Sequence, residues 1–215
     1  MKRKVKSPVF YVVVICTFHL LAGCGSQYSK VRLDYYLRTP PSSSIPNAAQ
    51  VSVFVERFTD LRTGVAHNVI GEAKTGIADK KSPIIIDDSL VELSALAFRG
   101  AFAESGFNVV FDEAEADLVF KGRINVFWVQ EFTPGLVPQH SEADIEFDVV
   151  LIDRIHDVNL WYDVKKSHVE SILDGMDVTV QNEQIINRAL YDVIASVLKD
   201  DQLAVAVGKF VEQNK

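Results

Sequence analysis

The chain has 215 residues, with 29 acidic against 22 basic side chains and a formal net charge of −7. That balance excludes a broad phosphate-binding surface, which needs clustered Lys and Arg, so nucleic acid is not an expected partner. The two cysteines are Cys16 and Cys24, which leaves everything after residue 24 without a disulfide, a Cys-ligated metal or a thiol nucleophile.

The N-terminus reads in three parts. Lys2, Arg3, Lys4 and Lys6 form a basic start without an acid, residues 9–21 are an apolar run of 13, and Leu21-Ala22-Gly23-Cys24 closes the segment. The run is short for a membrane span, which takes about 20 residues, and suits the hydrophobic region of a signal peptide. Leu21-Ala22-Gly23-Cys24 resembles the bacterial lipobox at all four positions. The resemblance implies removal of residues 1–23, a thioether-linked diacylglycerol on Cys24 and a further acyl chain on the new amine. Two or more acyl chains hold a protein stably at a bilayer, so the expected membrane contact is the lipid itself. Gly25 rather than Asp follows the cysteine, which by the same resemblance implies sorting to the periplasmic face of the outer membrane. Residues 24–215 keep all 29 acids and 18 of the bases, a net −11, which disfavours lying flat on anionic lipid.

Residues 24–49 are expected to be a lipidated tether, because Thr39-Pro40-Pro41-Ser42-Ser43-Ser44 and Pro46-Asn47 suit an extended chain without a core. Residues 33–37, Leu-Asp-Tyr-Tyr-Leu, are the exception and read as a short docked strand. Residues 50–215 are expected to be one α+β domain. Val51, Val53 and Val55 mark a strand, residues 59–64 a loop, 68–74 a short strand and 84–86 another. Ser89 with Glu92 three residues on predicts a capping box. A helix follows, on Leu90, Leu93, Ala97, Phe98, Ala101 and Phe102, and Gly106 is placed as its left-handed C-terminal cap. Residues 107–111 leave that cap as a strand.

Two long strands come next. In the first, Leu118, Phe120, Ile124, Val126 and Trp128 are expected on one face, with Lys121, Arg123 and Asn125 on the other. Residues 133–141 form a loop. In the second strand, Ala143, Ile145, Phe147, Val149 and Leu151 oppose Asp144, Glu146 and Asp148. Residues 155–159 read as a turn and 160–169 as the returning antiparallel strand. Asn182 is expected to cap a C-terminal helix with a wide apolar stripe from Ile185 to Leu198, and Asp200 or Asp201 to start a second. The order predicts an antiparallel sheet with helices packed on one face, in two layers.

Several short motifs coincide with a family. Phe58-Thr59-Asp60-Leu61-Arg62, Ile70-Gly71, Gly106-Phe107-Asn108-Val109, Ala116-Asp117-Leu118 and Gly122-Arg123-Ile124, together with the lipobox, resemble the YajG-type envelope lipoproteins over roughly residues 50–200. That resemblance carries no catalytic residues over. Tyr35-Tyr36-Leu37 and the tether resemble instead the auxiliary lipoproteins of ABC-type lipid transport systems.

Signals for chemistry are sparse. Gly71-Glu72-Ala73-Lys74-Thr75-Gly76 begins like a phosphate loop, but Ile77-Ala78 stand where Lys and Ser or Thr are needed. No nucleophile elbow or zinc-protease motif occurs, and His67, His140, His156 and His168 have no ligand spacing. Asp144, Glu146 and Asp148 share one strand face and read as a solvated surface, paired with Lys165 across the hairpin; a Ca²⁺ site or an acid pair is the sharper alternative. Asp60 and Arg62 follow a strand, where a loop carries function, and are the candidate interaction residues; a local salt bridge is the bland reading. The expectation is a non-enzymatic accessory or adaptor, with no cofactor and no metal, anchored to the membrane by lipid and bound to an envelope protein partner. The alternative is a lipid-binding auxiliary component of an envelope lipid transport system.

Overall fold

A computed structural model describes residues 29–31, 40–75, 80–133, 140–172 and 178–214. The signal segment expected at 1–23, Cys24, the strand expected at 33–37 and most of the loop expected at 133–141 lie outside the described residues.

Nine strands form one sheet. Its spine is three long antiparallel strands, β7 (Leu118–Thr133), β8 (His140–Asp153) and β9 (Val158–Ile172). The opposite edge of β7 is lined end to end by three shorter strands, β2 (Ser52–Val55), β3 (Thr59–Asp60) and β4 (Val69–Thr75), all parallel to it. Outside these lie β6 (Asn108–Val110), parallel to β2, and β5 (Lys80–Ile86), antiparallel to β4, with β1 (Ser29–Val31) parallel to β5. The sheet is therefore mixed, not antiparallel as expected. The chain leaves β2, passes through β3, β4 and β5 and crosses back through α1, at Leu90–Glu104, to enter β6 and then β7 in the direction of β2.

The helices α1, α2 (Val178–Leu198) and α3 (Asp201–Gln213) meet the sheet through one set of strand positions. Phe98 of α1 packs tilted and Phe102 edge-on against Phe120 of β7, at 5.0 and 4.9 Å between ring centroids. Asn182 of α2 reaches Glu131 of β7, and Gln181 reaches Ser171 of β9. On β8 every second residue from Ser141 to Asp153 is buried, as the alternation of apolar residues requires.

β7 departs from its expected pattern. Asn125 is an extra residue, because Ile124 pairs with Phe147 and Val126 with Glu146. A bulge of one residue reverses the facing of everything beyond it. Phe127 and Val129 consequently enter the core, at 1 % exposure each, while Val126 and Trp128 turn to the helix-free face.

The ends of α1 follow from two different mechanisms. Gly106 has φ +92°, Phe107 N donates to Phe102 O at 3.1 Å and Gly106 N to Ala103 O at 3.0 Å. That is a Schellman motif, and the Phe102 and Phe107 rings meet edge-on at 5.1 Å across it. At the start, Ser89 is the N-cap by backbone geometry but its side chain caps nothing. Glu92, expected to complete the box, turns instead to Arg57 at 2.7 Å. Asn182 likewise does not cap α2, which begins at Val178; it is fully buried. Asp200 does cap α3, accepting from Gln202 N at 2.8 Å.

Much of the segment expected to be a tether is part of the fold. Val31 is 2 % exposed in the sheet, and Ile45 and Ala48 are buried at 5 % and 3 %. Ser43 N donates to Ser105 Oγ at 3.2 Å, which fixes the 40–50 segment beside the end of α1.

Candidate functional site

The residues around Asp60 and Arg62 occupy the place where the composite edge of β7 is joined. Thr59 lies opposite Arg123 and Gly71 opposite Val129, so the chain loops out between β3 and β4 while β7 runs straight past. Leaving such a loop would strand backbone carbonyls at its base. Arg62 satisfies them. Its Nη1 donates to Val69 O at 2.8 Å and to Phe127 O at 3.3 Å, and its Nη2 to His67 O at 3.1 Å. Nε and Nη2 also hold Asp60 in a two-pronged pair, each at 2.9 Å.

These contacts use the whole donor capacity of a guanidinium, which has five N–H groups. The side chains of Arg62 and Asp60 are 5 % and 9 % exposed. Arg62 N donates to Asp60 Oδ1 as well, at 3.1 Å. The Arg62 hydrogen bonds hold the Asp60 carboxyl down at about 2, against the opposing effect of burial. The two residues singled out by sequence are thus brought together, but as an internal clamp of the loop 61–68. The loop carries the exposure: Leu61 is 45 % exposed and the His67 side chain 95 %.

Two clefts flank the segment 56–60. The larger, about 740 Å³, runs between this segment and the start of α1, and is lined by Glu56, Arg57, Asp60, His67, Asp87 and Asp88 among others. The smaller, about 390 Å³, opens on the strand side, between Lys121, Arg123, Asp148 and Tyr162. Both walls mix charged with apolar side chains, Phe58, Leu90 and Val91 in the larger and Val149 and Val150 in the smaller.

The face of β7, β8 and β9 that no described helix covers carries a ladder of paired charges. Arg123 meets Asp148 at 2.7 Å, Lys166 meets Glu146 at 2.8 Å, and His168 meets Asp144 at 2.7 Å and Glu170 at 3.0 Å. Hydrogen bonds to Glu170 and Asp144 raise the His168 imidazole to about 9. The expected acidic triplet is therefore paired, though by Lys166 rather than Lys165. Lys165 points to the other face, where it joins Asp200 at 2.5 Å and Asp163 at 2.6 Å. Parity along the strand decides this, since adjacent residues face opposite sides.

The phosphate-loop-like segment lies in strand β4 as far as Thr75, where Glu72 pairs with Lys81 and Lys74 at 3.1 and 3.4 Å; Gly76, Ile77 and Ala78 lie outside the described residues. Among the described residues no group of three or more His, Cys, Asp and Glu is arranged to hold a metal ion. None of the described helices is long and apolar enough to cross a membrane. Sequence reasoning missed a buried polar group on the helix side, where Glu131, Ser141, Gln181 and Asn182 are all 5 % exposed or less. Glu131 and Ser141 face each other across β7 and β8; alternation along both strands was the available signal.

No protein-family model matches this chain, and no curated protein matches it. Among solved structures, protein XCC0632 from Xanthomonas campestris, of family DUF330, is similar over 87 % of this chain and 99 % of its own, with 13 % identity and a TM-score of 0.56. Lipoprotein GNA1162 from Neisseria meningitidis aligns over 70 % of this chain and 99 % of its own, with 10 % identity and a TM-score of 0.37. The PelC dodecamer from Paraburkholderia phytofirmans aligns over 75 % and 92 %, with 13 % identity and a TM-score of 0.36. What the likeness to XCC0632 carries is the fold: this chain shares its architecture with a bacterial protein over nearly that protein's whole length.

Proposed function

We propose that the chain is a lipid-anchored envelope protein, held by acylated Cys24 at the periplasmic face of the outer membrane, whose domain is a non-catalytic adaptor for another envelope protein. The helices form one layer and the sheet the other, so that the strand face of β7–β9 is free to receive the partner. The observation that carries the adaptor reading is the pairing of charges on that face. A surface whose ionic groups already satisfy one another can be covered by a partner without stranding a charge. The loop 61–68, held from beneath by Asp60 and Arg62, adds Leu61 and His67 to the contact. The charged groups in the two clefts beside segment 56–60, Lys121, Arg123 and Asp148 in one and Asp60, Asp87 and Asp88 in the other, favour the adaptor over a lipid carrier. The lipobox supports the envelope address. The resemblance to YajG-type lipoproteins rests on framework residues: Phe58 packs over Gly122, Gly71 lies against Val129, and Asp117 accepts from Ser52 N and Oγ at 2.7 Å.

The test is a photoreactive residue placed at Tyr162, which is 54 % exposed, or at Leu61, in the full chain in living cells. One protein adduct shared by both positions is the expected result. Phospholipid adducts without a protein would move the reading to the lipid-transport auxiliary.

A further inference from the structure

β9 is bonded to β8 on one side only. Among the described residues its backbone makes no other backbone hydrogen bond. The strand runs for 15 residues, long for an edge, and such an edge is a template for another strand. Its two halves are treated differently. Val164 N turns away from β8 and is capped at 2.7 Å by Oδ1 of Asp163, its own neighbour. Lys165 and the junction of α2 and α3 crowd the same stretch, through Asp200. Beyond it, among the described residues, no backbone hydrogen bond caps the edge. Since Val164 points its amide outward and the register with β8 is regular from Trp161 to Ile172, Lys166, His168, Glu170 and Ile172 point theirs outward too.

The side chains of that open half read as their own complement. Lys166 and Glu170 are 67 % and 68 % exposed, and Ile172, also on the edge, is 69 % exposed. Set antiparallel to itself about His168, the open half puts Lys166 opposite the partner's Glu170, twice by symmetry, and ends where Ile172 meets the partner's Val164, whose own amide is already taken by Asp163. Only His168 meets its like, and each imidazole already sits between Asp144 and Glu170. Centring the pairing on Lys166 would instead set lysine against lysine. We propose that the open half of β9 pairs antiparallel with β9 of a second copy of this chain, two-fold about His168, joining two sheets edge to edge. Such an interface is isologous and closes on itself, giving a dimer and not a filament. It uses the sheet edge, leaves the face and the loop 61–68 free, and stands whether or not the adaptor reading does.

The test is cross-linking of the full chain in intact cells with a short bismaleimide. His168→Cys places two thiols at the proposed two-fold axis. Val158→Cys, on the same strand and 52 % exposed, places them about 65 Å apart at ~3.3 Å per residue. A dimer from His168→Cys at least about tenfold more abundant than from Val158→Cys is expected. Adding Lys166→Glu should lower that yield about tenfold, since it sets like charges opposite each other twice, whereas Lys209→Glu on α3 should not. Equal yields from both cysteines, no dimer at all, adducts only with a different protein, or indifference to Lys166→Glu would each overturn the pairing.

Discussion

Replacing Arg62 by Leu tests the clamp directly. The substitution removes the partner of an Asp60 carboxylate that is 9 % exposed and strands the carbonyls of His67, Val69 and Phe127. Breaking a buried ion pair from one side costs about 3–5 kcal/mol, so the variant should lie near the upper end of single-residue effects. Part of that loss has a distinct pH signature. Asp60 sits at about 2 in the folded chain against an ordinary value of 3.8, a difference equivalent to about 2 kcal/mol. A depressed carboxyl contributes stability that is present above 3.8 and disappears as the pH falls through about 2. Arg62→Leu lacks that contribution at neutral pH already. The gap between parent and variant should therefore be widest at pH 7 and narrow by about 2 kcal/mol toward pH 2. Urea unfolding of the full chain in mild detergent, followed by tryptophan fluorescence, reads it, since Trp161 is 7 % exposed and reports on the sheet. A loss below about 1 kcal/mol at pH 7, as for a surface pair, or a gap that does not change with pH, would refute the clamp.

Other outcomes are equally definite. Gly122→Ala should destabilise by about 1–3 kcal/mol, because a Cβ there would lie 2.2 Å from the Phe58 ring; thermal melting reads it, and Phe58→Leu in the same chain should recover part of the loss. Asp200→Ala should cost about 1–2 kcal/mol through its cap, with more from Lys165, while Ser89→Ala, which removes no side-chain cap bond, should stay within about 0.5 kcal/mol. His168→Gln should remove a small stabilisation, under about 1 kcal/mol for so exposed a group; it is present in the parent below 6.5 and lost as pH rises through about 9, so parent and variant melting temperatures should converge in alkaline buffer. Cys24→Ser should leave an unprocessed precursor that takes up no labelled palmitate.

Elements whose cause is local were legible in the sequence. The Gly106 cap, the Asp200 cap and the alternating core face of β8 need only neighbouring residues, and each stands where the pattern put it. What failed depended on residues far apart. The bulge at Asn125 cannot be seen in β7 alone, because it is defined by the register against β8. The direction of β2, β3 and β4 relative to β7 depends on the long connection through α1 that separates them in sequence. Ser89 and Glu92 fit a capping box, yet Arg57, 35 residues earlier, draws Glu92 away at 2.7 Å. Val31, Ile45 and Ala48 are few apolar residues in a polar, proline-rich stretch, and only the hollow beside α1 and β5 gives them a place to bury.

The same distinction explains Asp60 and Arg62. Their spacing, two residues apart after a strand, suits either a presented pair or a buried one, and sequence alone leaves both open. The decision comes from the composite edge. β7 is met on that side by three separate pieces of chain, and a junction between pieces leaves carbonyls without a strand partner. The junction between β3 and β4 also falls beside the Asn125 bulge, which turns Phe127 inward. A guanidinium is the one side chain with enough donors in a fixed plane to reach the carbonyls of His67, Val69 and Phe127 at once. Burying its charge then requires a carboxylate, and Asp60 is the nearest position on the chain able to supply both prongs. The pair is thus a consequence of how the sheet is assembled. A partner that reads this corner of the domain reads the loop the pair supports, through Leu61 and His67, and would lose contact with Arg62→Leu only because the loop moves.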